Sequence, residues 1–130
     1  MDNKTILIIE DDEMNMKLIR SVLQLGNCRI LEAKSAEKGI QLAREHHPDL
    51  ILMDIRLPGM NGLEATRVLK DDHDLNGIPV VALTSYDMEE DGGEAIDAGC
   101  EAFLPKPIDT PSFRKTIAMI LSAYAPGYFQ

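Results

Sequence analysis

The sequence predicts an α/β fold in a single domain: a doubly wound, five-stranded parallel sheet with five flanking helices. Three observations carry this. Short apolar runs such as Ile6–Ile9 and Leu50–Met53 are continuous rather than alternating, the pattern of strands buried on both faces. Segments with apolar residues at helical spacing separate them. The runs end abruptly on polar residues: acids, a Thr-Ser pair and a lysine.

Taken in order, Thr5–Ile9 reads as the first strand and ends on Glu10-Asp11-Asp12-Glu13. Leu18, Ile19, Val22 and Leu23 then repeat at helical spacing, with Gly26 as the C-cap. Arg29–Ala33 is a short strand. Ser35 is placed to cap a helix carrying Ala36, Ile40 and Ala43 on one face, which His46-His47-Pro48 ends. Leu50–Asp54 is the third strand. Its carboxyl end leads into a loop punctuated by Pro58, Gly59 and Gly62, and a helix from about Gly62 to Asp72 follows. Ile78–Thr84 is the fourth strand, followed by a helix over Met88–Ala98 that Gly99 ends. Cys100–Leu104 is the fifth strand. Thr110-Pro111 forms an N-cap and N1 pair for a last helix with Phe113, Ile117, Ile120, Leu121 and Tyr124 on one face. Strictly alternating elements imply right-handed crossovers and helices on both faces. The strand order 2-1-3-4-5 is taken from known doubly wound sheets of this size.

A chain of 130 residues suffices for one domain with a real core. Acidic residues outnumber basic ones 22 to 13, giving a net charge of −9. That argues against a nucleic-acid surface, which needs clustered Lys and Arg, and against adhesion to anionic membrane. The N-terminus lacks a signal pattern and no apolar run approaches about 18 residues, so no membrane insertion and a cytoplasmic location are expected. Cys28 and Cys100 lack metal-ligand spacing and are expected to be free thiols. The motif-free remainder reads conventionally. His46, His47 and His73 are solvated helix-end residues, and Glu89-Glu90-Asp91 is a solvated acidic face at a helix N-terminus.

All strands of a parallel sheet point the same way. The strand ends therefore deliver Glu10-Asp11, Asp54, Thr84-Ser85 and Lys106 to one edge. Two carboxylates about 4 Å apart repel by roughly 4 kcal/mol at an effective dielectric of 20. Clustered acids must raise one another's pKa or recruit a cation. An all-oxygen donor set suits Mg²⁺. A carboxylate beside such a cation can attack a phosphoryl group, a reaction that needs chiefly positioning and charge neutralisation. Lys106 supplies a point charge and the Thr84 hydroxyl a donor. No general base or substrate pocket is evident.

These residues resemble the receiver domain of two-component response regulators over essentially the whole chain. The likeness rests on Glu10-Asp11, on Met53-Asp54 with Leu57-Pro58-Gly59-Met60-Asn61-Gly62, on Thr84-Ser85 and on Lys106-Pro107. A weaker likeness, over Glu10–Leu18, is to the single-domain cell-division regulators of the DivK sub-family. The resemblance implies a flavodoxin-like receiver fold over residues 1–124, with 125–130 a short tail and no output domain. It implies Asp54 as phosphoacceptor. It implies Mg²⁺ held by Asp11, Asp54 and the backbone carbonyl of Arg56, with Glu10 assisting through water. Lys106 pairs with the acceptor and then with the phosphoryl group, Thr84 and Ser85 contact that group, and Phe103 changes rotamer as Thr84 moves. The Lys106–Pro107 bond is expected to be cis. Departures are Glu10 for a commoner Asp, Phe103 for a commoner Tyr, and the large Arg56 and Tyr86, which are expected to hinder water attack and lengthen the phosphoryl lifetime.

The implied function is a stand-alone phosphoacceptor switch. A sensor histidine kinase or histidine phosphotransfer protein donates the phosphoryl group, and a downstream protein reads the face formed by the fourth helix, fifth strand and fifth helix. The chain is then no enzyme acting on an external substrate, and is a monomer or a weak phosphorylation-dependent dimer. An Mg²⁺-dependent phosphatase would need an acid where Arg56 stands. An interaction module that works without phosphorylation would be expected to have lost an acid or the lysine, and none is lost. Met14 and Met16 suggest either a docking patch or simple packing. Each Gly inside a helix costs about 1 kcal/mol relative to Ala. Gly92-Gly93 therefore predict a loose fourth helix that phosphorylation orders or shifts, unless that helix starts only at Glu94.

Overall fold

Residues 4–24, 28–84, 88–106 and 110–124 are described by the structure, a computed structural model. Strands β1 (Thr5–Ile9), β2 (Arg29–Ala33), β3 (Leu50–Asp54), β4 (Val80–Thr84) and β5 (Ala102–Pro105) alternate with helices α1 (Glu13–Gln24), α2 (Ala36–His46), α3 (Gly62–Asp71), α4 (Met88–Ala98) and α5 (Thr110–Tyr124). All neighbouring strands pair in parallel, in the expected order β2-β1-β3-β4-β5.

Successive strand residues face opposite sides, and that alternation divides the core into two layers. Leu7, Ile9, Ile51, Met53, Val80 and Ala82 pack under Ala36, Ile40 and Ala43 of α2, Ala65 and Leu69 of α3 and Ala95 of α4. Ile6, Ile8, Leu50, Leu52, Val81 and Leu83 pack under Met16, Ile19, Val22 and Leu23 of α1 and Phe113, Ile117 and Leu121 of α5. Every residue of β3 and β4 is buried, which is why both read as unbroken apolar runs. Full burial of one such side chain stabilises by about 1.5–3 kcal/mol.

Local signals end the elements where the chain must turn. Ser35 accepts the Lys38 N–H at the start of α2. His47 ends it in the left-handed conformation, φ 47°. Asn61 and Glu64 form a reciprocal capping box on α3. Gly99 has φ 115°. Its N–H donates to Ile96 O and that of Cys100 to Ala95 O, both at 3.0 Å, the paired bonds of a Schellman cap.

Several boundaries differ from expectation. The β4 ladder starts at Val80 rather than Ile78, because Pro79 has no N–H to give and the Ile78 carbonyl accepts the Lys70 ammonium instead. Strand β5 covers Ala102–Pro105 rather than Cys100–Leu104, because the Cys100 N–H is used in capping α4. On α1 the inward residue is Met16, 1% exposed, whereas Leu18 is 38% exposed. Met16 therefore packs, and only Met14 is left on the surface. Gly92-Gly93 lie within α4, not before it. The C-cap assigned to Gly26 lies outside the described residues, as do the side chains of Thr110 and Tyr124.

Candidate functional site

Strand register brings the polar strand ends together. Ile9 pairs with Met53, Asp54 with Leu83 and Thr84 with Pro105. The residues that follow β1 and β5 therefore flank Asp54 at the carboxyl edge of the sheet. Asp54 is itself only 2% exposed. Its Oδ1 accepts the Arg56 N–H at 2.9 Å, and its Oδ2 lies 3.1 Å from Lys106 Nζ. The α3 entry is packed against this residue without slack, since a Cβ on Gly62 would lie 2.3 Å from the Asp54 carbonyl oxygen.

Glu10 is fully buried. Its N–H donates to Ala33 O at 3.0 Å, and its Oε2 accepts the Asp12 N–H at 3.2 Å. Lys106 Nζ stands 2.8 Å from Oε1, close enough for an ion pair, yet that oxygen has no aligned hydrogen-bond donor. Asp11 is exposed, and carboxylate oxygens of Glu10, Asp11 and Asp54 all come within 4.8 Å of one another. Lys106 is anchored at its backbone, where its N–H donates to Thr84 O at 2.8 Å.

The electrostatics follow from this crowding. Burial pushes the Glu10 carboxyl up to about 7, with Asp54 adding to the rise and Lys106 opposing it. Burial pulls Lys106 down, but its contact with Glu10 and the charge of Asp54 outweigh that and hold it above the ordinary lysine value. Among the described residues, the Lys106 ammonium contacts Glu10 and Asp54, and Asp11 lies within 4.8 Å of both carboxylates. The donors are all hard oxygens, with neither His nor Cys among them. The residues present thus fit Mg²⁺ better than zinc.

Thr84 is fully buried, and its hydroxyl donates to Leu104 O at 3.3 Å. To meet a group carried by Asp54 it must give up that bond, at a cost of about 1 kcal/mol. Phe103, on β5, is half-buried. Ser85, Tyr86 and Pro107, and with Pro107 the expected cis bond, lie outside the described residues. A cavity of about 280 Å³ opens beside this edge, where none was expected from the sequence. It is lined by Ile55, Arg56, Leu57, Asn61, Leu63 and Glu94 and by none of the three acids. Sequence reasoning overlooked the Asn61–Glu64 capping box, although Asn followed three residues later by Glu is a readable start signal.

Comparison with known proteins agrees with this geometry. Residues 6–118 match the family model of the response regulator receiver domain. The chain is 47% identical over 118 residues to the polar-differentiation response regulator DivK of Brucella ovis, spanning 91% of this chain and 96% of that protein. It is 45% identical to the corresponding protein of Brucella anthropi over the same shares. Among solved structures, the signal receiver domain of a histidine kinase from Syntrophus aciditrophicus superposes with a TM-score of 0.87 at 25% identity, covering 95% of this chain and 93% of that one. The receiver domain of a sensor histidine kinase from Pseudomonas aeruginosa PAO1, with a magnesium ion coordinated in its active-site cleft, gives 0.84 at 26% identity over 92% and 98% of the two chains.

Proposed function

The chain belongs to the response regulator receiver domain family, in its DivK-like branch, and on that premise we propose that it is a phosphoacceptor switch with Asp54 as the accepting residue. Receiver domains of this kind work with histidine kinases and downstream targets, bind Mg²⁺ at an acidic site and generally turn over no external substrate. The observation that carries the proposal for this chain is the Asp54 carboxylate. It is buried, backed by the Arg56 N–H on one oxygen and by Lys106 on the other, and two further carboxylates lie within ligand distance of it.

The reaction needs little from the protein beyond placement. Asp54 is the nucleophile and, as a carboxylate, needs no general base. One of its oxygens attacks the phosphorus of a phosphohistidine on a sensor kinase or a histidine phosphotransfer protein. An O–P bond forms and the P–N bond breaks. The donor ring, protonated beforehand on its other nitrogen, leaves as neutral imidazole with the electron pair of the broken bond. Lys106 follows the charge from the Asp54 oxygen to the phosphoryl oxygens. Thr84 turns from Leu104 O to donate to one of them, Ser85 is assigned a second contact to the same group, and Phe103 takes the space vacated. Asp11, Asp54 and the Arg56 carbonyl, with Glu10 behind them, would hold Mg²⁺, which when bound supplies charge neutralisation to the phosphoryl oxygens.

The output is a shift between two conformations that a partner reads on the face formed by α4, β5 and α5. Ile96 on α4 and Met119 on α5 are exposed there. The switch acts as a single receiver module in the cytoplasm, as a monomer or as a weak dimer when phosphorylated. No helix among the described residues is long and apolar enough to cross a membrane. Phosphoramidate, a small P–N donor, tests the reaction. With Mg²⁺ it should add one phosphoryl group to the wild type and none to Asp54→Asn, by intact mass. Equal labelling of the two proteins would refute Asp54 as acceptor.

A further inference from the structure

Lys106 Nζ lies 2.8 Å from Glu10 and 3.1 Å from Asp54, and the strand that delivers it is short. Strand β5 has four residues, and among them only Leu104 is buried. It pairs with β4 alone, at the edge of the sheet. A buried face normally pins register, and on this strand it is small: Leu104 is buried, while Ala102 and Phe103 meet the two core layers only partly buried. A slip of one residue moves the chain by about 3.3 Å, enough to take Lys106 out of reach of Glu10 and Asp54, now 2.8 and 3.1 Å away.

A side-chain cluster at the opposite edge of the sheet also ties down the start of β5. Glu101 holds Val80 from both sides. Its backbone N–H donates to Val80 O at 2.9 Å, and its Oε2 accepts the Val80 N–H at 2.6 Å. Its other oxygen, Oε1, is held by Lys70 Nζ at 2.9 Å. The same ammonium donates to Ile78 O at 2.9 Å and Asn76 O at 3.3 Å, so all three of its protons are used. Both side chains are mostly buried, 18% and 19% exposed. The Lys70 stem passes over Gly99, where a Cβ would come within 2.8 Å of Lys70 Cγ. The stem and the glycine turn between α4 and β5 are therefore fitted to each other.

We propose that Lys70 and Glu101 form a register clamp across α3, β4 and β5 that positions Lys106 for its role at the phosphoacceptor. They are positioning residues, acting through the strand and touching neither Asp54 nor its ligands. This inference rests on the function proposed above for Lys106.

The test uses the full chain with Lys70→Met and Glu101→Gln, the latter keeping an acceptor for Val80 while ending the ion pair. Native-state amide exchange is read at the Lys106 N–H, bonded to Thr84 O, and at Ile8 in β1 as reference. Phosphorylation by acetyl phosphate is timed in parallel. Breaking a hydrogen-bonded charge pair should lower protection at Lys106 by about tenfold or more relative to Ile8. Labelling should slow by at least the same factor, with Mg²⁺ affinity within about twofold, since no ligand is touched. Should Lys70→Met fail to fold, Glu101→Gln alone decides. Equal loss of protection at Lys106 and Ile8, or no loss at either, overturns the clamp. Absence of labelling in the wild type would instead overturn the phosphoacceptor reading and leave the exchange comparison intact.

Discussion

Replacing Gly62 by alanine should damage the proposed phosphoacceptor site more than the fold. Gly62 does not owe its place to backbone conformation, since among the described residues the glycines with positive φ are Gly59 and Gly99. It is needed for room. An added Cβ would lie 2.3 Å from the Asp54 carbonyl oxygen, 2.6 Å from Ile55 Cα and 2.9 Å from the Asp54 carbonyl carbon. All three are backbone atoms and none can swing aside. Ordinary contact begins at 3.4 Å, so the start of α3 must retreat by about 1 Å. Overpacking of this kind costs about 1–3 kcal/mol, partly offset by the better helix propensity of alanine. The retreat also strains the Gly62 N–H bond to Ile55 O, 3.2 Å long, and shifts the loop whose Arg56 N–H supports Asp54. A displacement near 1 Å at a reacting group lowers rates by about a hundredfold. Urea unfolding should therefore show a loss of about 1–2 kcal/mol, while labelling by acetyl phosphate slows by ten- to a hundredfold. Unchanged stability with labelling within about twofold of wild type would refute the packing argument.

Three further outcomes are expected. Lys106→Met removes the ammonium that balances Glu10 and Asp54; acetyl phosphate labelling should fall by at least about tenfold while Mg²⁺, relieved of a competing cation, binds no more weakly by fluorescence or calorimetric titration. Burial pushes the Cys100 thiol up to about 11 from an ordinary 9. A thiol raised in the folded state stabilises fully below its unfolded value and loses that contribution as pH climbs through the folded one. Unfolding free energy should thus fall by up to about 2 kcal/mol more between pH 9 and 11 in wild type than in Cys100→Ala, measured by urea titration. In α4, a Cβ on Gly93 meets open space, so Gly93→Ala should stabilise the helix by about 1 kcal/mol and protect its amides. It should also shrink the exchange difference in α4 between the free protein and a phosphoryl-mimic complex.

The strands were legible because β3 and β4 are buried on both faces and carry uninterrupted apolar runs, whereas their order came from known sheets of this type. Right-handed crossovers then leave little freedom. The site was legible for the same reason. In a parallel sheet every strand end lies at one edge, so Asp54, Lys106 and the Glu10-Asp11 pair needed only their strands to be found. Less was visible in the phase of α1. Met16 and Leu18 are both apolar and both fit a helical repeat with Ile19 and Val22. Packing against the sheet, not periodicity, selects Met16. The β4 and β5 boundaries depended on where backbone N–H groups go, to a Schellman cap after α4 and nowhere at Pro79. The Lys70–Glu101 pair is separated by 31 residues. Neither residue stands in a local motif, and their meeting is a product of the fold.

On the reading proposed above, Asp54 is a Mg²⁺-dependent phosphoacceptor. The most direct test of that reading is incubation with acetyl phosphate, with Mg²⁺ or with a chelator, read by intact mass on wild type and Asp54→Asn. A Mg²⁺-dependent acceptor at Asp54 should give a single phosphoryl adduct on the wild type in the presence of Mg²⁺, and none with chelator or in the variant. An adduct that persists in Asp54→Asn, or no adduct on folded, Mg²⁺-binding wild type, would contradict it.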